Sequence, residues 1–304
     1  MAESPVSSES ADPVSPRLQV PGTVDQIIKL TRYQLREYLS SRRFVALVGI
    51  VVVIAAIITF IVADLQSNAT VKALLASPDA FYGSFWGGGA GFVVVLSAVF
   101  FGGDAIAGEF QNKTGYFLMG LPIRRSAIYI GKYIAAFLAS ASMLLLYLVL
   151  LLLNGVHYFG ASAFPWQFLP SLALALVYLM AVLGTTFLFS SLFKTSAYGF
   201  VLTAILFLIG FGLLQTLITS VVKIEPWMII SYANGAIGDV FAPTINWGLS
   251  GTVTVTKVPL GRGGGFDTVT SYTPGVAEGV VIMLAYFILT AIAGLYLFER
   301  EEFT

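Results

Sequence analysis

Residues 86–132 read WGGGAGFVVVLSAVFFGGDAIAGEFQNKTGYFLMGLPIRRSAIYIGK. The stretch opens apolar, crosses a polar island from Asp104 to Gly115, stops at Pro122 and turns apolar again after Arg124 and Arg125. The island carries two carboxylates, Asp104 and Glu109, and Glu109 stands four residues before Lys113, the favourable order for a helical ion pair. Phe110, Tyr116 and Phe117 offer it an apolar side. Residues before a proline avoid the helical region, so Leu121-Pro122 ends the segment. The pattern predicts two membrane spans joined by a short helix lying against the membrane and touching a partner.

The rest of the chain fits that reading. Of its 304 residues, 57% are hydrophobic and 11% charged, and its mean hydropathy is +0.87. Soluble domains carry about 25% charged residues, so this composition reads as a polytopic membrane protein. The formal net charge is zero and gives no field for nucleic acid. There is no cysteine and a single histidine, His157, which excludes disulfides, thiolate metal sites and a histidine metal cluster.

A spanning helix needs roughly 20 mostly apolar residues. Six stretches qualify, near 44–62, 86–103, 128–153, 169–192, 198–222 and 276–298. The second could begin near Phe81 and tolerate Gly87-Gly88-Gly89 inside a bundle. The expected fold is therefore an all-α polytopic membrane protein with six transmembrane helices. Of the 16 Lys and Arg residues, only Lys72, Lys223, Lys257 and Arg262 fall outside when the N-terminus is placed inside. That sorting obeys the positive-inside rule, puts both termini in the cytoplasm and puts the island inside. Arg42, Arg43, Arg124, Arg125 and Lys132 then read as anchors at the membrane interface.

Residues 1–22, rich in Ser, Pro and Ala, read as a disordered cytoplasmic tail without a signal-peptide pattern. Thr23-Val24-Asp25-Gln26 matches a capping box. From there to residue 43, Val24, Ile27, Ile28, Leu35, Tyr38 and Leu39 recur at helical spacing among basic residues. This predicts an amphipathic helix on the inner surface, either a plain anchor or one that also contacts a cytoplasmic partner. The six-span part follows over 44–304, with an island helix at about 104–120 and a long external segment at about 223–275. The first half of that segment, around Pro226–Phe241, is apolar yet too short to span, which suits a re-entrant or interfacial piece. Thr252–Thr256 alternates like a strand, and the glycines at 261–265 follow. Gly83, Gly87 and Gly91 share one helical face, either for close packing or for a subunit or pathway interface.

Several chemistries find no residues. No G-x-x-x-x-G-K-[ST] occurs, and Gly261–Gly265 matches a phosphate loop in glycine content alone. No Asp, Glu, Lys or Arg sits near the middle of any span, whereas proton- or ion-coupled carriers place ionisable groups there. Energy for transport must then come from outside the chain.

The run Asp104-x4-Glu109-x5-Gly115, followed by Pro122-x-Arg124-Arg125 and Gly131-Lys132, resembles the permease subunits of ABC-2 type ABC transporters. The likeness extends to the layout: an amphipathic start, six spans, both ends inside and a long outer segment before the last span. The resemblance implies a type V exporter-like fold in which the island is the coupling helix. It implies ATPase docking through Asp104, Glu109, Lys113, Thr114, Gly115, Tyr116 and Phe117. The family often has Gly-Thr after the acidic helix where this chain has Thr114-Gly115. It further implies a second permease copy or homologue and two copies of a cytoplasmic ABC ATPase. ATP and Mg would sit on that ATPase, with no cofactor on this chain and no enzymatic activity of its own. The implied location is the plasma membrane of a prokaryote. Two other readings stay open on the residues alone: a non-transporting scaffold or mechanotransmission subunit of an envelope complex, and an ATP-independent carrier or channel.

Overall fold

The computed structural model describes residues 22–64, 68–111, 123–160, 164–260 and 265–300. Residues 1–21 of the expected N-terminal tail, and residues 261–264 with their glycines, lie outside the described residues. Six helices are long and apolar enough to cross a membrane: α2 (Arg42–Asp64), α4 (Pro78–Gly102), α6 (Arg125–Phe159), α7 (Phe168–Leu192), α8 (Ser196–Val222) and α11 (Val276–Arg300). The six expected spans are all present.

The chain enters through α1 (Thr23–Ser40), and the expected capping box is absent. Gly22 caps the helix, and Gln26 is buried with its Oε1 accepting from the Arg124 backbone N–H at 3.3 Å. The polar side chain that local spacing assigned to its own helix end is used across the fold instead. Thr31 Oγ1 donates to the Gly131 carbonyl of α6 at 3.2 Å, and Tyr38 donates to the Phe101 carbonyl of α4 at 3.0 Å. Helix α1 is thus strapped to two spans. Ser41, in extended conformation, turns the chain into α2 and accepts from the Phe44 N–H.

Helix α4 is the most buried of the six and forms the centre. It starts at Pro78, where Ser77 caps it by accepting from the Ala80 N–H, so the glycines lie well inside it. After the short α3 (Ala69–Leu74) and α4, the chain turns at 103–106 into α5 (Ala107–Gln111). Helix α6 runs 35 residues, about 50 Å at 1.5 Å per residue, well beyond the roughly 30 Å of hydrocarbon. Nothing in Arg125–Phe159 breaks a helix, and only Gly160, at φ +80°, ends it. Helix α8 contains two π turns, Leu206–Gly210 and Ile218–Val222, and ends on Lys223 in the left-handed region.

The long segment before α11 is not a plain loop. Two short helices, α9 (Ile230–Ala233) and α10 (Gly235–Asp239), dip into the bundle with Ile230, Tyr232, Ala236 and Ile237 fully buried. The Gly83–Gly87–Gly91 face of α4 receives them. A Cβ on Gly87 would stand 2.6 Å from the Gly238 Cα, and one on Gly91 would strike the Asn234 amide. The glycine stripe therefore packs this chain against itself, across about 150 residues of sequence.

Ser171 locks the arrangement: it accepts from Trp86 Nε1 at 2.8 Å and donates to the Ile237 carbonyl at 2.5 Å. All three groups are buried, so Ser171→Ala leaves a donor and an acceptor without this partner. The expected cost is about 1–3 kcal/mol. A thermal midpoint of the purified protein equal to wild type contradicts this.

The membrane-length elements are all helical, as expected, and the long segment before α11 adds one hairpin. Strands β1 (Thr252–Leu260) and β2 (Gly265–Thr273) form an antiparallel hairpin, with Thr252 opposite Thr273 and Leu260 opposite Gly265. The alternation that begins at Thr252 is the visible part of it. Glu225 secures its base, accepting from the Gly251 N–H at 3.1 Å and from Tyr232 at 2.5 Å.

Candidate functional site

The island begins where α4 runs out. Gly103 N–H still bonds back to the Val99 carbonyl, after which four residues of turn carry the chain into α5. Asp104 and Glu109 therefore do not lie on one continuous helix. The Gly103 turn packs tightly on α8, which Gly199 permits: a Cβ there would stand 2.5 Å from the Gly103 carbonyl oxygen. Ser190, near the end of α7, accepts from the N–H groups of Ile106 and Ala107, both at 3.0 Å. Those are the donors a helix start leaves over, so Ser190 acts as a cap supplied from another span. At the far end, Gln111 Oε1 accepts from Ser196 through its N–H at 2.9 Å and its hydroxyl at 2.5 Å. Residues on α7 and α8 thus hold both ends of α5.

Two ion pairs add α2 and α6. Arg43 Nη1 pairs with Asp104 Oδ2. Lys132 Nζ bonds Glu109 Oε1 at 2.5 Å and the Ala105 carbonyl at 2.8 Å. The second pair is the more enclosed, with side-chain exposures of 8% for Lys132 and 19% for Glu109. An exposed pair contributes little, whereas breaking a buried one is costly. Beside these pairs lies a cavity of about 750 Å³, walled on the α1 side by Gln34, Glu37 and Tyr38. Burial, then the Asp104 charge, pushes the Tyr38 hydroxyl well above its usual range, so it stays a neutral donor.

Against expectation, Lys132 is not turned to headgroups. Its side chain is buried and belongs to the island, and the neighbouring Gly131 lets α1 pack closely on α6 beside it. Glu109 pairs with Lys132; its expected pairing with Lys113 involves a residue outside the described ones. Arg43 serves Asp104, although its side chain remains 59% exposed. Arg42 and Arg124 are exposed, and Arg125 donates to the Glu299 carbonyl at 3.0 Å. Lys113, Thr114, Gly115, Tyr116, Phe117 and Pro122 lie outside the described residues. Sequence spacing missed Ser190 and Gln111 and gave Gln26 and Tyr38 other roles; a polar side chain near the end of an apolar span was the one signal for Ser190.

At the opposite end, a cavity of about 540 Å³ opens between the α4 glycines and α10, with Asp79, Asn234 and Asp239 in its wall. Asn234 Oδ1 and Asp239 Oδ2 are buried and accept no hydrogen bond among the described residues. Burial pushes the Asp239 carboxyl up to about 6. An acid whose pKa is higher folded than unfolded loses stability as pH rises from its ordinary value of 3.8 through about 6. Asp239→Asn is therefore expected to raise the thermal midpoint at pH 8 and to leave it near wild type at pH 4. An equal shift at both pH values contradicts the assignment.

Six membrane-length helices, the glycine-faced α4 at their centre, with a polar junction at one end and a pair of short buried helices at the other, define a polytopic membrane protein. The chain belongs to the ABC-2 family transporter proteins, whose family model matches residues 29–303. No significant match is found among curated proteins. The protein is thus a multi-pass permease of the ABC-2 transporter class.

Proposed function

We propose that this permease is the membrane-spanning subunit of an exporter driven by a separate cytoplasmic ATPase, which docks on the island. The carrying observation is the junction itself: α5 is held to α7 and α8 by Ser190 and Gln111 and to α6 by the Glu109–Lys132 pair, and the turn before it to α2 by the Asp104–Arg43 pair. A displacement of α5 has four spans to act on. Glu109, Lys113, Thr114, Gly115, Tyr116 and Phe117 form the proposed docking surface. Asp104 fixes the segment where it leaves α4, and Lys132 holds it from α6.

In this reading the working assembly contains two permease copies and two ATPase chains, and ATP with Mg binds the ATPase. Closure of the motors on ATP rocks the spans and moves substrate outward. Both termini and the island lie in the cytoplasm, in the plasma membrane of a prokaryote. The charge-poor spans support an external motor, since no span carries a mid-membrane ionisable pair of its own.

The test is a mild-detergent pull-down of the tagged chain, with mass spectrometry and an ATPase assay on the eluate. A near-stoichiometric soluble P-loop protein with ATP turnover is the expected result. A chain that elutes alone from native membranes and stays inert contradicts it.

A further inference from the structure

Helix α1 has three faces, and the spans use only one of them. Gln26, Leu30, Thr31 and Tyr38 lie toward α6 and α4. A second strip, Val24, Ile28 and Leu39, follows helical spacing yet stays open, at 68%, 59% and 45% exposure. Beside it runs a third, in which Lys29, Arg32 and Arg36 are three and four residues apart and all exposed. Of the acidic residues on α1, only Asp25 falls on this basic side. Glu37 faces the inner cavity, where Gln34 Nε2 donates to it at 2.9 Å.

An apolar strip flanked by a cationic strip is what a helix needs when it lies in an anionic membrane interface. The position agrees. Helix α1 ends at Ser40, and α2 starts at Arg42 with Val45, Val52 and Val53 all exposed. The open apolar strip thus leads into the lipid-facing side of a span. A basic strip that existed only to obey the positive-inside rule would need no apolar strip beside it.

We infer that the Lys29–Arg32–Arg36 face of α1 is a binding site for anionic phospholipid headgroups, with Val24, Ile28 and Leu39 seated in the acyl boundary beneath them. The site goes beyond the ATPase reading and stands without it. Bound lipid would press α1 onto Gly131 and so onto the segment that carries Lys132.

The full chain is reconstituted in phosphatidylcholine nanodiscs, and association of spin-labelled phosphatidylglycerol and phosphatidylcholine is compared. Wild type is expected to prefer phosphatidylglycerol. That preference should fall by about fivefold for each cation removed in Lys29→Gln/Arg32→Gln/Arg36→Gln, and Lys72→Gln at the other end should leave it unchanged. A preference absent from wild type, or undiminished in the triple variant, overturns the site. A second reading needs no charge change. The chain has no cysteine, so Ile28→Cys carries a unique polarity-sensitive fluorophore. Its emission should shift to the blue when phosphatidylglycerol is added and return at high salt. A label that reports water in every lipid, or is shielded only by a copurified soluble protein, also overturns the proposal.

Discussion

Lys132→Met is expected to lose both thermal stability and function, the larger loss being in function. Methionine nearly matches lysine in length and removes only the charge and the donors. Glu109 Oε1 and the Ala105 carbonyl then lose the ammonium that joins them, in a site where the lysine side chain is 8% exposed. Removing one partner of a buried pair costs about 3–5 kcal/mol, and the partial exposure of Glu109 places the loss near the lower figure. Lys132→Met/Glu109→Gln should recover much of the stability, because the carboxylate left behind causes most of the cost. It should not recover transport if the pair also sets the angle of α5. Thermal midpoints of the single and double variants, read beside substrate flux or ATP turnover of the assembled complex, separate the two effects. A single variant with a wild-type midpoint contradicts the burial argument.

The second large effect is expected at Gly87. A Cβ there would stand 2.6 Å from the Gly238 Cα and 3.0 Å from the Gly238 N. The obstacle is backbone, which no rotamer change removes. Gly87→Val must therefore push α10 off α4 and pull on the Trp86–Ser171–Ile237 chain beside it. Overpacking of this kind costs about 1–3 kcal/mol, and the rigid partner places valine at or above the upper end. The next residue is the control. A Cβ on Gly88 would meet nothing within 4 Å, so Gly88→Ala should be neutral or gain up to about 1 kcal/mol from helix propensity. Equal destabilisation at the two positions would show that α4 resents any side chain there, and would sink the assignment of this face to α10.

These two sites mark where the sequence can and cannot be read. The six spans were legible because each needs about 20 mostly apolar residues to cross the hydrocarbon, whether it faces lipid or, like α4, the other helices. The length of α6 was not, since apolar windows end at Leu153 whereas the helix runs on to Gly160 for want of any breaker. The glycine stripe announced close packing, but its partner lies about 150 residues on, and periodicity carries no information at that range. Lys132 and Gln26 were assigned by local rules, one to headgroups and one to a helix cap. Both went to partners on other elements, because burial between α1 and α6 made those contacts better than water. The strand signal at Thr252 was read correctly, and its return strand was hidden behind the glycines.

The measurement that tests the account most directly is site-specific cross-linking from the island to the proposed ATPase. The chain has no native cysteine, so a photo-reactive group can be placed alone at Lys113→Cys, at Tyr116→Cys or, as a control at the opposite end, at Lys72→Cys. Illumination of the complex in native membranes should join a soluble P-loop ATPase to the island positions and leave the Lys72 position unlinked. An ATPase that copurifies but is captured from Lys72, or from neither island position, would contradict both the orientation and the docking site.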